Sequence, residues 1–171
     1  MAVIEAIETI YLEADAATVT FSGIPSTYEH LQLRFSAAGN TTGIITASLL
    51  FNADATASNY YIHSMRAWST STNGLATTGG APTMFAFSSA VPAPSYNTAV
   101  VDILDYANSN KNTTTAGVRG AATDVDTYGS YVEFVSGLWL STAVVSSVVF
   151  QANTGSFVRG SEFTLYGLNS S

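Results

Sequence analysis

The chain contains no cysteine. That removes disulfides, thiolate nucleophiles and the common cysteine-based zinc sites together. The fold must then hold by packing and hydrogen bonding alone. Charge is scarce as well: 10% of residues are charged and 47% are apolar, whereas ordinary globular chains carry about a quarter charged. Ser, Thr, Asn and small residues fill the gap. Long exposed helices usually draw on many Glu and Lys, so this composition argues against them. Basic charge is scarcest, with one lysine (Lys111) and four arginines in a net charge of −7. Such a balance disfavours a phosphate-binding surface, and nucleic acid is not an expected partner. No apolar run reaches the length needed to span a bilayer, so no membrane partner is expected either. The opening MAVIEAIETIYLEADAA lacks a basic leader and carries Glu5, Glu8, Glu13 and Asp15, so it does not read as a signal peptide.

What is present points to strands. A length of 171 residues suits one domain spanning residues 1–171, large enough to bury a sizeable core. ATVTF (17–21) and HLQLRF (30–35) alternate apolar and polar positions cleanly, the signature of a half-buried strand. Further strands are expected at 44–51, 60–68, 83–87, 98–104, 131–140, 144–151 and 161–168. VIEAIETIYL spaces Val3, Ile7 and Ile10 almost helically, but its β-branched residues favour a strand. The gaps between these segments are rich in Gly, Pro, Asn and Ser. STSTNGLATTGG (69–80) reads as a long surface loop, and YANSNKNTTTAG (106–117) as another turn-rich gap. The total is roughly ten strands at spacings typical of a sandwich or barrel.

Catalytic chemistry has few places to reside. The two histidines, His30 and His63, both fall inside strand patterns. On HLQLRF the apolar set is Leu31, Leu33 and Phe35, which puts His30, Gln32 and Arg34 on the opposite face. That face reads as exposed to solvent or to a neighbouring subunit; the sharper reading pairs His30 with a carboxylate as a general base. No G-x-S-x-G nucleophile elbow accompanies it. Asp102 and Asp105 stand three apart, so a strand would point them to opposite faces, unsuited to two carboxylates acting on one bond. Asp124 and Asp126 could share a calcium ion, but the rest of a calcium-loop pattern is missing. Trp68, Trp139, nine Tyr and nine Phe could form a sugar-stacking platform, although strand aromatics ordinarily fill a core. Neither catalytic residues nor a cofactor nor a metal is expected.

One resemblance runs through the chain. VTFSGIPSTYEHLQLRFSA (19–37) resembles an opening that recurs in a family of tailed-bacteriophage virion structural proteins. SLLFN with SNYYIH, VVDILDYANSNKNTTT, SGLWLSTAVVSSVVF and GSFVRGSEFTLYGL are similar to the same family in the same order. Residues 68–94 carry the least of the likeness. The resemblance implies a virion structural protein rather than an enzyme. With one compact domain, no heptads and no repeat, the expected role is a capsid decoration (cement) protein. The expected fold is an antiparallel β-sandwich, jelly-roll-like, made in the host cytoplasm and located on the capsid exterior. It would bind the major capsid protein as a homotrimer, with residues 1–15 as an N-terminal arm or edge strand. The candidate interaction residues are Glu5, Glu8, Tyr11 and Glu13 on that segment, His30, Gln32 and Arg34 on the polar strand face, and Trp68. The alternative is a tail-associated carbohydrate-binding module that uses Trp68 or loop tyrosines on a host glycan.

Overall fold

The computed structural model describes residues 3–41, 44–68, 71–78, 83–88, 96–121 and 131–170. Among them are twelve strands: β1 (Val3–Tyr11), β2 (Thr18–Ser22), β3 (His30–Ala37), β4 (Ile44–Phe51), β5 (Tyr60–Trp68), β6 (Ser71–Thr78), β7 (Thr83–Ser88), β8 (Asn97–Leu104), β9 (Thr113–Ala121), β10 (Tyr131–Trp139), β11 (Ser147–Ala152) and β12 (Glu162–Asn169). One short 3-10 turn, Ala57–Asn59, precedes β5.

All pairings are antiparallel. They build an eight-stranded sheet, β1-β12-β3-β8-β9-β10-β5-β6, and a four-stranded sheet, β2-β11-β4-β7. The pairs β1 with β12, β2 with β11, β3 with β8 and β4 with β7 describe a ribbon rolled up on itself, which is the jelly-roll topology. Two insertions, β5–β6 after β4 and β9–β10 after β8, join the larger sheet beyond β8. The molecule is thus an antiparallel β-sandwich whose larger sheet runs four strands past its jelly-roll portion.

Alternation in the sequence translates directly into burial on β3, where Leu31 and Leu33 are fully buried and Phe35 nearly so. Phe35 meets Phe150 of β11 across the sheets at 5.0 Å between ring centroids, and Phe150 stacks on Phe157 at 5.4 Å. Phe163 of β12 closes this group, 5.2 Å from Phe157. A second group, Phe51, Tyr60 and Trp139, ties β4 to the inserted strands β5 and β10. Fully burying one such aromatic stabilises the fold by roughly 1.5–3 kcal/mol.

The segment between β2 and β3 is architectural. Gly23 takes φ +64°, a left-handed conformation that favours glycine. Ile24 is buried, and the Pro25 carbonyl accepts a hydrogen bond from the Tyr106 hydroxyl. The Tyr28 ring lies flat over Gly167, where any Cβ would fall 2.4 Å from it. The histidine-bearing stretch is therefore a corner of the roll followed by a strand.

Three expectations need correction. The loop expected at 69–80 contains β6, which has no apolar alternation and is held by its pairing to β5. The gap expected at 106–117 ends in β9, paired on both sides. Conversely, Val144–Ser146 is not strand: the Val145 amide donates to the Tyr106 carbonyl (2.8 Å), and the Ser146 amide to Asn52 Oδ1 (2.8 Å).

Candidate interaction face

β10, YVEFVSGLW, carries two interleaved sets of side chains. The structure buries Tyr131, Glu133, Val135, Gly137 and Trp139, and leaves Val132, Phe134 and Ser136 in solvent. Glu133 is inward because Arg119, opposite it on β9, forms a buried ion pair with it. The Arg119 guanidinium also lies 5.7 Å from the Tyr131 ring. Burial pushes the Tyr131 phenol above its ordinary pKa, while Arg119 pulls the other way. An ion pair held this deeply keeps its partners only if geometry compensates for lost hydration.

The consequence appears on the other side of the sheet. Val100 of β8 pairs with Val118 of β9, Val118 with Phe134 of β10, and Phe134 with Met65 of β5. All four side chains project outward, away from the core. Met65 is 62% exposed, Phe134 55% and Val118 41%. They line a shallow trough of about 780 Å³. The adjacent row runs Asp102, Ala116, Ser136 and His63 across the same strands. Surface apolar residues scattered singly are ordinary, whereas a contiguous row of them is not.

The residues expected to form a site fall into separate groups. Glu5, Glu8 and Tyr11 lie on β1, the edge strand of the large sheet. Glu5 accepts a hydrogen bond from the Tyr28 hydroxyl (3.2 Å), and Glu13 lies 3.7 Å from Arg159 on the surface. On β3, Gln32 Nε2 donates to Asp102 (2.7 Å), Arg34 Nε donates to Gln32 Oε1 (2.7 Å), and the Arg34 guanidinium stands over Tyr166. His30 Nδ1 accepts the backbone N–H of Asp105 (3.1 Å), which makes it an acceptor that closes the β8 turn. The Asp105 carboxylate pairs with Lys111 at 3.2 Å, so it and Asp102 do not converge. Trp68 ends β5, with its side chain outside the described residues, as are Asp124 and Asp126.

One further polar cluster is structural. Asp54, after β4, accepts from Asn59 Nδ2 and Trp139 Nε1, each at 2.8 Å, and from the Thr56 amide. These bonds, that from Asn59 foremost, hold its carboxyl well below the usual carboxylate range. Next to it burial pushes the Tyr60 phenol up to about 12. The Tyr60 hydroxyl donates to the Asp54 carbonyl and accepts the Phe51 amide, so the cluster locks β4, β5 and β10 together.

The apolar row was not singled out from the sequence. Its signal was the pair of alternating sets in β10, one holding Val132 and Phe134 and the other Tyr131 and Trp139; sequence alone leaves open which set faces out. No known protein family, curated protein or solved structure matches this chain.

Proposed function

We propose that this protein is a structural subunit of a tailed-bacteriophage virion that decorates the outside of the capsid and acts by protein–protein contact. The observation that carries the reading of a protein that acts by protein–protein contact, whether with its own copies or with the shell, is the apolar row Val100–Val118–Phe134–Met65 on the solvent side of the extended sheet. Exposed apolar side chains on a rigid sheet suit association, which releases the water ordered over them. The family resemblance supplies the virion context, and the net charge of −7 suits an outer surface better than one facing packaged DNA. Docking on an assembled shell would stabilise it by mass action, with no chemical step.

Quantitative mass spectrometry of purified virions tests the role. A copy number near that of the major capsid protein supports decoration. A few copies per particle would move the protein to the tail and make glycan binding the next assay. Absence from virions would overturn the reading.

A further inference from the structure

We infer that the apolar outer face is the contact between two copies of this chain, packed face to face about a two-fold axis that runs along the strands between β9 and β10. The inference rests on reading the face as a protein contact and is independent of the virion assignment.

The order of side chains along each row favours this pairing. A two-fold axis in that position keeps a residue's height on the sheet and exchanges β9 with β10 and β8 with β5. Val118 then faces the second copy's Phe134, and Val100 faces its Met65, because these four share one row. In the adjacent row, Asp102 on β8 comes opposite His63 on β5, twice by symmetry. Asp102 Oδ1 is engaged by Gln32, and its other oxygen can accept from the imidazole. An acid at one end of a row and an imidazole at the other is the charge complementarity an isologous interface needs.

Size follows the same rule. The outward residues of β9 are Thr114, Ala116 and Val118, and the axis sets them against Leu138, Ser136 and Phe134 of β10, so a short side chain meets a bulky one at the first and last of these positions. Farther out, the same axis lays Arg34 and Gln32 of β3 over Gly74 and Ala76 of β6, where small side chains leave room for long ones. A two-fold axis perpendicular to the strands would bring Asp102 over Thr98 instead and lose the acid–imidazole match. Face-to-face sheets pack at about 10 Å, a separation that a His and an Asp side chain can bridge together.

Sedimentation velocity of the full chain over a range of concentrations, with circular dichroism and thermal melts as checks of folding, tests this. A reversible dimer is expected, and Phe134→Glu should weaken it by roughly tenfold or more while leaving the monomer folded. His63→Asp and Asp102→His should each weaken the dimer, and the double swap should restore most of the loss. A monomer at all concentrations, a trimer as expected from the decorating role, or a dimer indifferent to Phe134→Glu would overturn the inference. So would a double swap no better than the single variants. Co-sedimentation of wild type and Phe134→Glu with capsid shells asks the remaining question: a monomer that needs Phe134 to bind shells would give the face to the capsid instead. Absence from virions, in contrast, would end the proposed role and leave the dimer standing.

Discussion

Two rows crossing the large sheet show how its two halves differ. On the inward side, one row runs Phe163, Phe35, Ala99, Arg119, Glu133 and Arg66 from β12 to β5. On the outward side, the neighbouring row runs Thr164, Arg34, Val100, Val118, Phe134 and Met65. In these two rows the jelly-roll half is aromatic inside and polar outside, whereas past β8 the inner positions are ionic and the outer ones apolar. Elsewhere the inserted strands still turn Tyr60, Tyr131 and Trp139 into the interior. A jelly roll stabilises itself by covering its apolar face with the second sheet; the inserted strands add to that an apolar row left in solvent, Val118, Phe134 and Met65.

If the jelly-roll half supplies the stability, its aromatic core should be the most sensitive part of the molecule. Phe150→Ala, which removes the ring stacked among Phe35, Phe157 and Phe163, should cost about 3–5 kcal/mol in denaturant unfolding. A much smaller loss would mean that the two halves share the core evenly. The ionic half should respond differently to one change than to two. Glu133→Ala removes the carboxylate paired with the buried Arg119 and should cost about 3 kcal/mol, whereas Arg119→Met with Glu133→Leu should cost clearly less. A double variant as unstable as the single one would show that the pair stabilises the extension outright.

At the corner between β2 and β3 the expected effect is smaller. Tyr106→Phe removes the hydroxyl that donates to the Pro25 carbonyl and accepts the Tyr28 amide, a loss of about 1–2 kcal/mol by the same unfolding measurement.

How much of this could be read in the sequence divides along the same line. HLQLRF and SEFTLYGL alternate cleanly, and their phases are set by a core that the rolled-up ribbon encloses, so the all-β sandwich was legible. β6 and β9 were not. STNGLATT and TTTAGVRGA offer no apolar alternation, and each is strand because a neighbour supplies its hydrogen bonds. The phase of β10 was equally hidden, since burying Glu133 depends on Arg119, a residue fourteen positions earlier that only the pairing of β9 with β10 brings alongside. The expected site residues His30, Gln32 and Arg34 do share an outer face, but the apolar row beginning one strand farther on is visible only once the register is known.

Acid should loosen the seam between the halves. Asp54 accepts from Trp139 Nε1 and Asn59 Nδ2, and its folded pKa lies below the unfolded one. Its contribution is therefore present above the unfolded carboxyl pKa of about 4 and is lost as pH falls below it. Asp54 is partly exposed, so the loss should be modest. Denaturant unfolding followed by tryptophan fluorescence should show stability falling as pH drops below about 4, and Asp54→Ala should make that fall shallower. A fall just as steep in Asp54→Ala would place the responsible carboxylate elsewhere.

The smallest effect on the monomer is the most informative for the comparison. Leu33 and Met65 are both apolar strand residues, one fully buried and the other 62% exposed. Leu33→Ala should cost about 2–5 kcal/mol, while Met65→Ala should stay within about 0.5 kcal/mol at dilution. If the outer face joins two copies, wild-type Tm should rise with protein concentration, because association binds only the folded state. Met65→Ala should flatten that rise while matching wild type at the lowest concentration. A loss that is the same at every concentration would mean Met65 belongs to the fold; a loss that grows with concentration assigns it to the contact between copies.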